Sequence, residues 1–396
     1  MHTDPIVEQF DAALTQPERD LIERAGDFGR RVVAPNARQW EYDRRPPIDA
    51  LRAACAAGLA SIEVPAKFGG YGLSFSAKVR LVEELARFDF GFAFALINHH
   101  NCTARVANST PSVAERLVPR MLRGELIGCA GYTEPEHGSD LTGLQTSAKK
   151  VEGGWKLSGA KAWITNAAVA GVVITLAQTS PGDGSRGLAS FVVEADRPGF
   201  VREPAYALHG THAIGVGGIR LEDYFAPDEA LLDPPGASFA AIMAGINGAR
   251  CYVAAMCAGM LDSAIEEAVR YTSDRQAFGQ TLIEFQGLRW SLVDADTDLA
   301  ALRLLVYRAA RAIDARQQAT EDAARAKKFA GERTLKHIAG CIQVMGANGL
   351  RADHPLMRHL AACKTACFTD GTTEMMNERL GKAIRSRYRP SPTRQT

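Results

Sequence analysis

The sequence predicts an α+β protein in three parts. An N-terminal α-helical domain covers residues 1–125, a middle β-barrel or β-sandwich domain 126–235, and a C-terminal four-helix bundle 236–390, with a tail at 391–396. Three observations lead there. At 396 residues the chain is too long for one simple core. Apolar residues recur at helical period on both sides of a central block, in which short alternating runs are cut by turn signals. The run Leu232-Asp233-Pro234-Pro235-Gly236 then reads as a linker.

The elements follow in order. Arg19 to Val33 carries Leu21, Ile22, Ala25, Phe28 and Val32 near helical spacing, and Pro35 is expected to end this helix. Ile48 to Ala57, Ser74 to Phe88, Gly91 to Ala107 and Pro111 to Arg123 read as further helices. Phe68-Gly69-Gly70-Tyr71 is a turn by composition. From Leu126 the pattern changes. Gln145 to Val151 and Trp155 to Ser158 flank Glu152-Gly153-Gly154, a hairpin signature, and Trp163-Ile164-Thr165 is expected as another strand. Gly171 to Thr179 and Leu188 to Val193 flank a polar loop, and Val201 to Leu208 and Val216 to Phe225 complete the block. Gly215-Val216-Gly217-Gly218 lacks the spacing of a dinucleotide-binding loop and runs into strand, which excludes a Rossmann motif. Phe239 to Tyr271 is a long helical stretch rich in small residues that admit close helix packing. Leu288, Leu292, Ala295, Leu299, Leu302 and Val306 step by four and three, a bundle-facing stripe. Glu321 to Met345 is a third long helix, and the basic, proline-containing end from Arg385 is expected to be disordered or packed on a partner subunit.

Composition is ordinary for a globular protein, with 46% hydrophobic and 23% charged residues. A formal net charge of +1 gives no global field toward nucleic acid or an anionic membrane. The eight cysteines form no C-x-x-C pair and mostly lie in apolar, helix-like surroundings, as reduced, buried thiols do. Cys363 and Cys367 sit four apart, but no further ligands at metal-binding spacing accompany them, so packing is their expected role and no metal is expected. His99 and His100 are adjacent, do not share a helix face, and are not expected to act in catalysis or metal binding. The polar, acidic N-terminus lacks signal-peptide order, and no uninterrupted apolar run approaches about 18 residues. A soluble, cytoplasmic protein is expected.

Five segments carry chemical possibilities. In Phe368-Thr369-Asp370-Gly371-Thr372-Thr373-Glu374 a carboxylate precedes a Gly-Thr-Thr turn that opens a helix. Such a turn offers free N–H groups and a positive dipole end, and the carboxylate beside it can act as a base; an ordinary N-cap by Thr372 or Thr373 explains the same residues. The loop Thr133-Glu134-Pro135-Glu136-His137-Gly138-Ser139-Asp140 can hydrogen-bond a heterocycle or phosphate, or be a surface turn. Trp163 and Thr165, two apart on a strand, point to one face and suit a planar ring or core packing. Arg275 to Gln280 suits a pyrophosphate or a salt-bridged interhelix loop, and the glycines of Gln343-Val344-Met345-Gly346-Ala347 suit a ligand or a C-cap.

In their order and spacing these segments resemble the acyl-CoA dehydrogenase family of flavoproteins. They are Tyr132 to Pro135 with Gly138-Ser139-Asp140, Trp163-Ile164-Thr165-Asn166, Arg275 through Phe278-Gly279 to Gln286, Gln343 to Gly346, and Asp370-Gly371-Thr372. The resemblance runs from about Leu21 to Arg385. It implies the acyl-CoA dehydrogenase fold, FAD as cofactor, an acyl-CoA substrate, an electron-transferring flavoprotein as electron acceptor, and a homotetramer. It places the flavin against Ala130, Tyr132, Thr133, Ser139, Trp163, Ile164, Thr165, Thr372, Thr373 and Glu374. The adenosine diphosphate end falls to Arg275, Phe278 and Gln286 from a neighbouring subunit, with Gln343, Gly346 and Ala347 as a further FAD-contacting stretch. Ser139, Asn247, Arg250 and Gly371 fall at the substrate. The family chemistry is α,β-dehydrogenation: a carboxylate removes the α-proton while the flavin accepts the β-hydride, and hydrogen bonds to the thioester oxygen stabilise enolate-like charge.

The chain departs from the family at the base. The usual Glu before the Gly-Thr pair is Asp370, one methylene shorter, and the lost reach of about 1.5 Å is comparable to misplacements that cost on the order of 100-fold in rate. Some relatives carry the base just before the long-helix arginine, where this chain has Ala249. Nitroalkane-oxidising relatives use an aspartate base, desulfinating relatives have lost the usual base, and a non-catalytic assembly subunit also fits the substitution. Phe92-Ala93-Phe94-Ala95 stands where glutaryl-type members place charge, which argues against a dicarboxylyl substrate and for an apolar acyl group.

Overall fold

The computed structural model describes residues 4–388. The tail expected at 391–396 lies outside the described residues.

Seven helices open the chain: α1 (Pro5–Asp11), α2 (Gln16–Phe28), α3 (Ala34–Asp43), α4 (Ile48–Ala56), α5 (Phe75–Ala86), α6 (Phe90–Val106) and α7 (Pro111–Leu122). Their starts are capped as their sequences imply. Ser74 Oγ accepts from Ala77 N–H at 3.1 Å, and Asp89 Oδ1 from Phe92 N–H at 2.7 Å. Pro35 does not stop the chain, contrary to expectation. Residues Gly29–Val33 form a π turn in which Ala34 N–H reaches back to Gly29 O, and helix α3 follows directly with Pro35 in its first turn. The wider turn accommodates the proline ring and its missing donor. His99 and His100 are fully buried. They hold backbone: His99 Nδ1 accepts from Gly128 N–H at 2.9 Å, and His100 Nδ1 lies 2.9 Å from Ala60 O.

The middle block is one sheet of β1 (Ile127–Gly131), β2 (Ser147–Val151), β3 (Gly154–Ile164), β4 (Ala170–Gln178), β5 (Leu188–Glu194), β6 (Phe200–Ala205), β7 (Gly217–Pro227) and β8 (Leu231–Asp233). The order is β6-β7-β3-β2-β4-β5-β8, with β1 parallel to β4. Trp163-Ile164-Thr165 is not a separate strand. It ends β3, whose pairing with β7 shifts between Lys161 and Ile164. Trp163 has φ 59° and is 61% exposed while Thr165 is buried, so the two-residue alternation fails there.

The last part holds α8 (Ser238–Asp274), a small hairpin of β9 (Gln276–Ala277) and β10 (Gln280–Thr281), α9 (Gln286–Asp314), α10 (Thr320–Met345), α11 (Leu356–Phe368) and α12 (Thr373–Tyr388). α8, α9 and α10 are three arms of the bundle, and the residues around Asp370 divide the fourth into α11 and α12. By length and composition α8 passes for a membrane-crossing helix, the one such helix among the described residues, but 56% of its most apolar window is buried inside the protein. Its small residues allow close approach to α5: a Cβ on Gly259 would stand 2.0 Å from Glu83 O. All eight cysteines are buried and free, and burial pushes the Cys55, Cys102 and Cys257 thiols up to about 12.

One apolar core runs without a break from α2, α5 and α6 into α8, α9 and α10, and a separate core fills the sheet. A buried charge cluster crosses the helical core. Glu83 on α5 accepts from Arg303 Nε at 2.8 Å and Tyr307 Oη at 2.7 Å on α9, and Arg80 Nη1 lies 3.1 Å from it. Burial works to raise the Glu83 carboxyl, and the two guanidiniums bring it below its ordinary value. Glu83→Ala removes the acceptor that Arg80, Arg303 and Tyr307 share; Arg80 keeps Asp11, and Arg303 keeps Asp4 and Asp262, so the expected cost is about 1–3 kcal/mol. Thermal denaturation reads this as a clear drop in midpoint against wild type.

Candidate active site

The break between α11 and α12 is the centre of the site. α11 ends at Phe368, and Asp370 and Gly371 then take φ 53° and 99° in succession. A left-handed aspartate is a local strain of the kind found at functional positions. Gly371 takes a backbone conformation that side chains rarely adopt, and a Cβ there would press on Met376 Cε at 3.2 Å and Arg250 Nη2 at 3.4 Å. Thr372 caps α12, its Oγ1 accepting from Met375 N–H at 3.3 Å and its carbonyl from Met376 N–H at 3.1 Å. Of the two capping threonines considered, Thr372 is the cap.

Two buried cations grip this turn by its backbone. Arg250 Nε on α8 donates to Asp370 O at 3.1 Å, and Lys327 Nζ on α10 donates to Gly371 O at 2.7 Å. Asn247 holds Arg250 in place, its Oδ1 accepting from Nη1 at 2.9 Å while its Nδ2 donates to Thr320 Oγ1 at 3.2 Å. The Asp370 carboxylate is left free of direct bonds. Its Oδ2 is buried and has no hydrogen-bond partner among the described residues. Burial raises the Asp370 carboxyl to about 6, against the pull of Lys327 and Arg250. Burial and the nearby Arg379 likewise bring Arg250 down to about 10, and burial lowers Lys327. Lys327 was missed in the sequence reading. Its signal was there, since it falls in the buried stripe of Ala323, Ala330 and Thr334, where a lone lysine needs a partner.

The loop after β1 approaches from the sheet. Its anchor is Glu134, buried, whose carboxylate accepts from Lys161 Nζ at 2.8 Å and from the N–H groups of Gln145 and Thr146 at 2.6 and 2.9 Å. Ala130, Tyr132 and Thr133 are half-buried and Ser139 is exposed. The Trp163 ring stands out from the end of β3, with Tyr206 edge-on at 4.9 Å. Ile164 and Thr165 are buried behind it.

The remaining cofactor candidates are elsewhere. Arg275, Phe278, Gln286, Gln343, Gly346 and Ala347 are all exposed, with Phe278 at 97%. They share one end of the bundle, where Asn348 Nδ2 donates to Tyr271 Oη at 2.8 Å. Arg250 is 24 residues before Asp274 on the same continuous helix, about 36 Å away at 1.5 Å per residue. The chain therefore does not gather all its candidates into one place. One group of candidates lies around Arg250, within the first half of α8, and the other beyond the C-terminal end of α8.

Models of the acyl-CoA dehydrogenase N-terminal, middle and C-terminal domains match residues 15–125, 129–224 and 237–385. The short-chain-specific acyl-CoA dehydrogenase of Megasphaera elsdenii is 30% identical over 384 residues, covering 95% of this chain and 100% of the relative. The chain belongs to the acyl-CoA dehydrogenase family. Among solved structures, a chain from the electron transferring flavoprotein of Acidaminococcus fermentans aligns with a TM-score of 0.90 and 28% identity, covering 95% of this chain and 99% of that one. PigA, solved with FAD and proline, aligns with a TM-score of 0.90 and 27% identity over 94% and 99%. The fold is that of the family, and the protein is an FAD-dependent oxidoreductase.

The residues present fit FAD. Trp163 is a large ring held out to solvent by a strained backbone, with buried Thr165 close in sequence. Phe278, at φ 53°, is displayed in the same way in the other group, and a Cβ on Gly346 would meet nothing within 4 Å. Aromatic faces left open in this way can stack on a planar ring.

The Asp370 shift sets a pH test of stability. A carboxyl raised in the folded state imposes no penalty below about pH 4 and its full penalty above about pH 6. Asp370→Asn is therefore expected to stabilise the protein above pH 6, by on the order of 1–3 kcal/mol, and to have little effect near pH 4. Denaturation midpoints of both proteins across that range check it.

Proposed function

We propose that the protein catalyses α,β-dehydrogenation of an acyl-CoA, with Asp370 as the base. The observation that carries this is the buried, unpartnered Asp370 Oδ2, raised to about 6 and held in a turn gripped only through its backbone. A base for a weakly acidic carbon needs a pKa brought toward the working pH and an open lone pair, and Asp370 has both. FAD, when bound, accepts the β-hydride. Arg250 and Lys327 keep the carboxylate at a fixed place and balance its charge before and after it takes the α-proton. Because these cations bind backbone carbonyls, they steady the base without occupying the oxygen that must react. Gly371, with no side chain, leaves room beside it for the thioester.

The proposed flavin side is Ala130, Tyr132, Thr133, Ser139, Trp163, Ile164, Thr165, Thr372, Thr373 and Glu374, with Ser139, Asn247, Arg250 and Gly371 toward the substrate. The separation of the two groups along α8 supports a homotetramer in which a neighbour's Arg275, Phe278, Gln286, Gln343, Gly346 and Ala347 complete the FAD site. Likeness to the Acidaminococcus chain supports an electron-transferring flavoprotein as acceptor.

Anaerobic mixing of the purified yellow protein with acyl-CoAs of graded length tests the reading. Flavin bleaching is expected, with a rate that rises with pH through about 6 as Asp370 loses its proton. Asp370→Asn is expected to retain FAD and lose about 10²–10⁴-fold in bleaching rate. Absence of bleaching with every thioester, together with peroxide formation from nitroalkanes, replaces this reading with that of a nitroalkane oxidase.

A further inference from the structure

A second buried polar cluster, which proton abstraction does not use, reaches α8 two residues beyond Arg250, the arginine that holds the Asp370 carbonyl. Lys78 on α5 is buried and paired with Glu63, and its Nζ lies 3.4 Å from Asn101 Oδ1 on α6. His100 Nε2 is 3.3 Å from the same Glu63 carboxylate. Although burial works to raise it, Lys78 and His100 bring the Glu63 carboxyl down to about 2, so Glu63 is a carboxylate at neutral pH. Asn101 Nδ2 donates to Tyr252 Oη at 3.1 Å. Tyr252 is on α8, two residues beyond Arg250, and its phenol feels the charge of Asp370. The chain His100–Glu63–Lys78–Asn101–Tyr252 thus runs from the N-terminal helices to the side of the base.

This line of contacts ends in an unmet donor. Tyr252 is 4% exposed, it accepts from Asn101, and its own hydroxyl proton meets no acceptor among the described residues. A buried hydroxyl without an acceptor is costly, and natural proteins keep few of them. The network leaves Tyr252 little freedom to turn elsewhere, because Asn101 is held in turn by Lys78. The apolar residues expected to select a hydrocarbon chain are not free to do so: Phe92 stacks on Phe28 and Trp40, and Phe94 on Phe90, all within the core.

We propose that Tyr252 is a specificity residue that donates a hydrogen bond to an oxygen in the substrate's acyl chain, beyond the β-carbon, so that the preferred acyl group is oxygen-bearing rather than plain alkyl. Asn101 and Lys78 are the positioning residues that aim it. The inference rests on the acyl-CoA reading above. The substrate supplies the acceptor that the fold lacks, and a hydrocarbon chain of the same length leaves the buried phenol unpaired. Sites built to hydrogen-bond a substrate discriminate strongly against analogues that lack the partner.

The test uses matched chains that differ by one oxygen. 4-Methoxybutanoyl-CoA is compared with hexanoyl-CoA, and 5-methoxypentanoyl-CoA with heptanoyl-CoA, by kcat/KM and by anaerobic flavin bleaching of the holoenzyme. Wild type is expected to favour at least one ether over its hydrocarbon match by about 10-fold or more. Tyr252→Phe is expected to bring that ratio to one or below, with the loss in the ether substrate and chiefly in KM. Wild-type ratios at or below one for both pairs overturn the proposal without any variant, as does a favourable ratio that Tyr252→Phe leaves unmoved. Bleaching by the alkyl thioesters with no ether preference removes this inference and leaves the acyl-CoA reading standing. No bleaching by any of the four overturns this inference, while the acyl-CoA reading falls only if thioesters of every other length also fail to bleach the flavin.

Discussion

The site depends on two cations that bind backbone rather than carboxylate. Had Arg250 and Lys327 paired with the Asp370 side chain, the acid would sit far below neutrality and both oxygens would be occupied. Instead they hold the carbonyls of Asp370 and Gly371, at 3.1 and 2.7 Å, and the carboxylate stays buried with one oxygen unpartnered and its proton affinity raised. The arrangement also explains the local backbone. Two consecutive left-handed residues turn both carbonyls toward α8 and α10, and only glycine fits the second position beside Arg250. Burial of the cations is tolerable because each finds a fixed acceptor.

The same device, a buried charge spent on backbone, shapes the other wall of the site. Glu134 accepts from two N–H groups as well as from Lys161, so the loop after β1 is pinned at one residue while its neighbours stay available. Burial brings Lys161 down to about 8 even with Glu134 to oppose it. The loop reads in sequence as a polar surface turn, and its polar face is indeed exposed at Ser139, but its stability comes from the one acid that points inward.

Much of the architecture was legible in the residues. Helical period placed α4 to α8 and α10 to within about three residues and marked the inward stripe of α9 but not its end, and Glu152-Gly153-Gly154 marked the first hairpin, because local pattern and tertiary burial agree there. The misses have physical causes. Pro35 signals a helix end only if the turn before it is α, and a π turn removes that signal. The face shared by Trp163 and Thr165 was inferred from strand alternation, which a register shift and a positive φ cancel. At the site, Gly371 and Arg250 were readable from the resemblance to the family, and Asp370 from its place before the Gly-Thr pair, where it departs from the usual Glu. Lys327 and Tyr252 were not, since Lys327 acts through a contact to the turn 44 residues away and Tyr252 through one to Asn101, 151 residues away.

The length of α8 has a consequence for how such a molecule comes into being. Each chain carries the catalytic end of one proposed cofactor site and the distal end of another, set apart by a rigid rod. Under that arrangement no single copy can hold FAD by both ends, so loading and association become one linked equilibrium. Newly made chains would gain their colour only as they find one another, and dilution would bleed flavin from the protein before any helix melts.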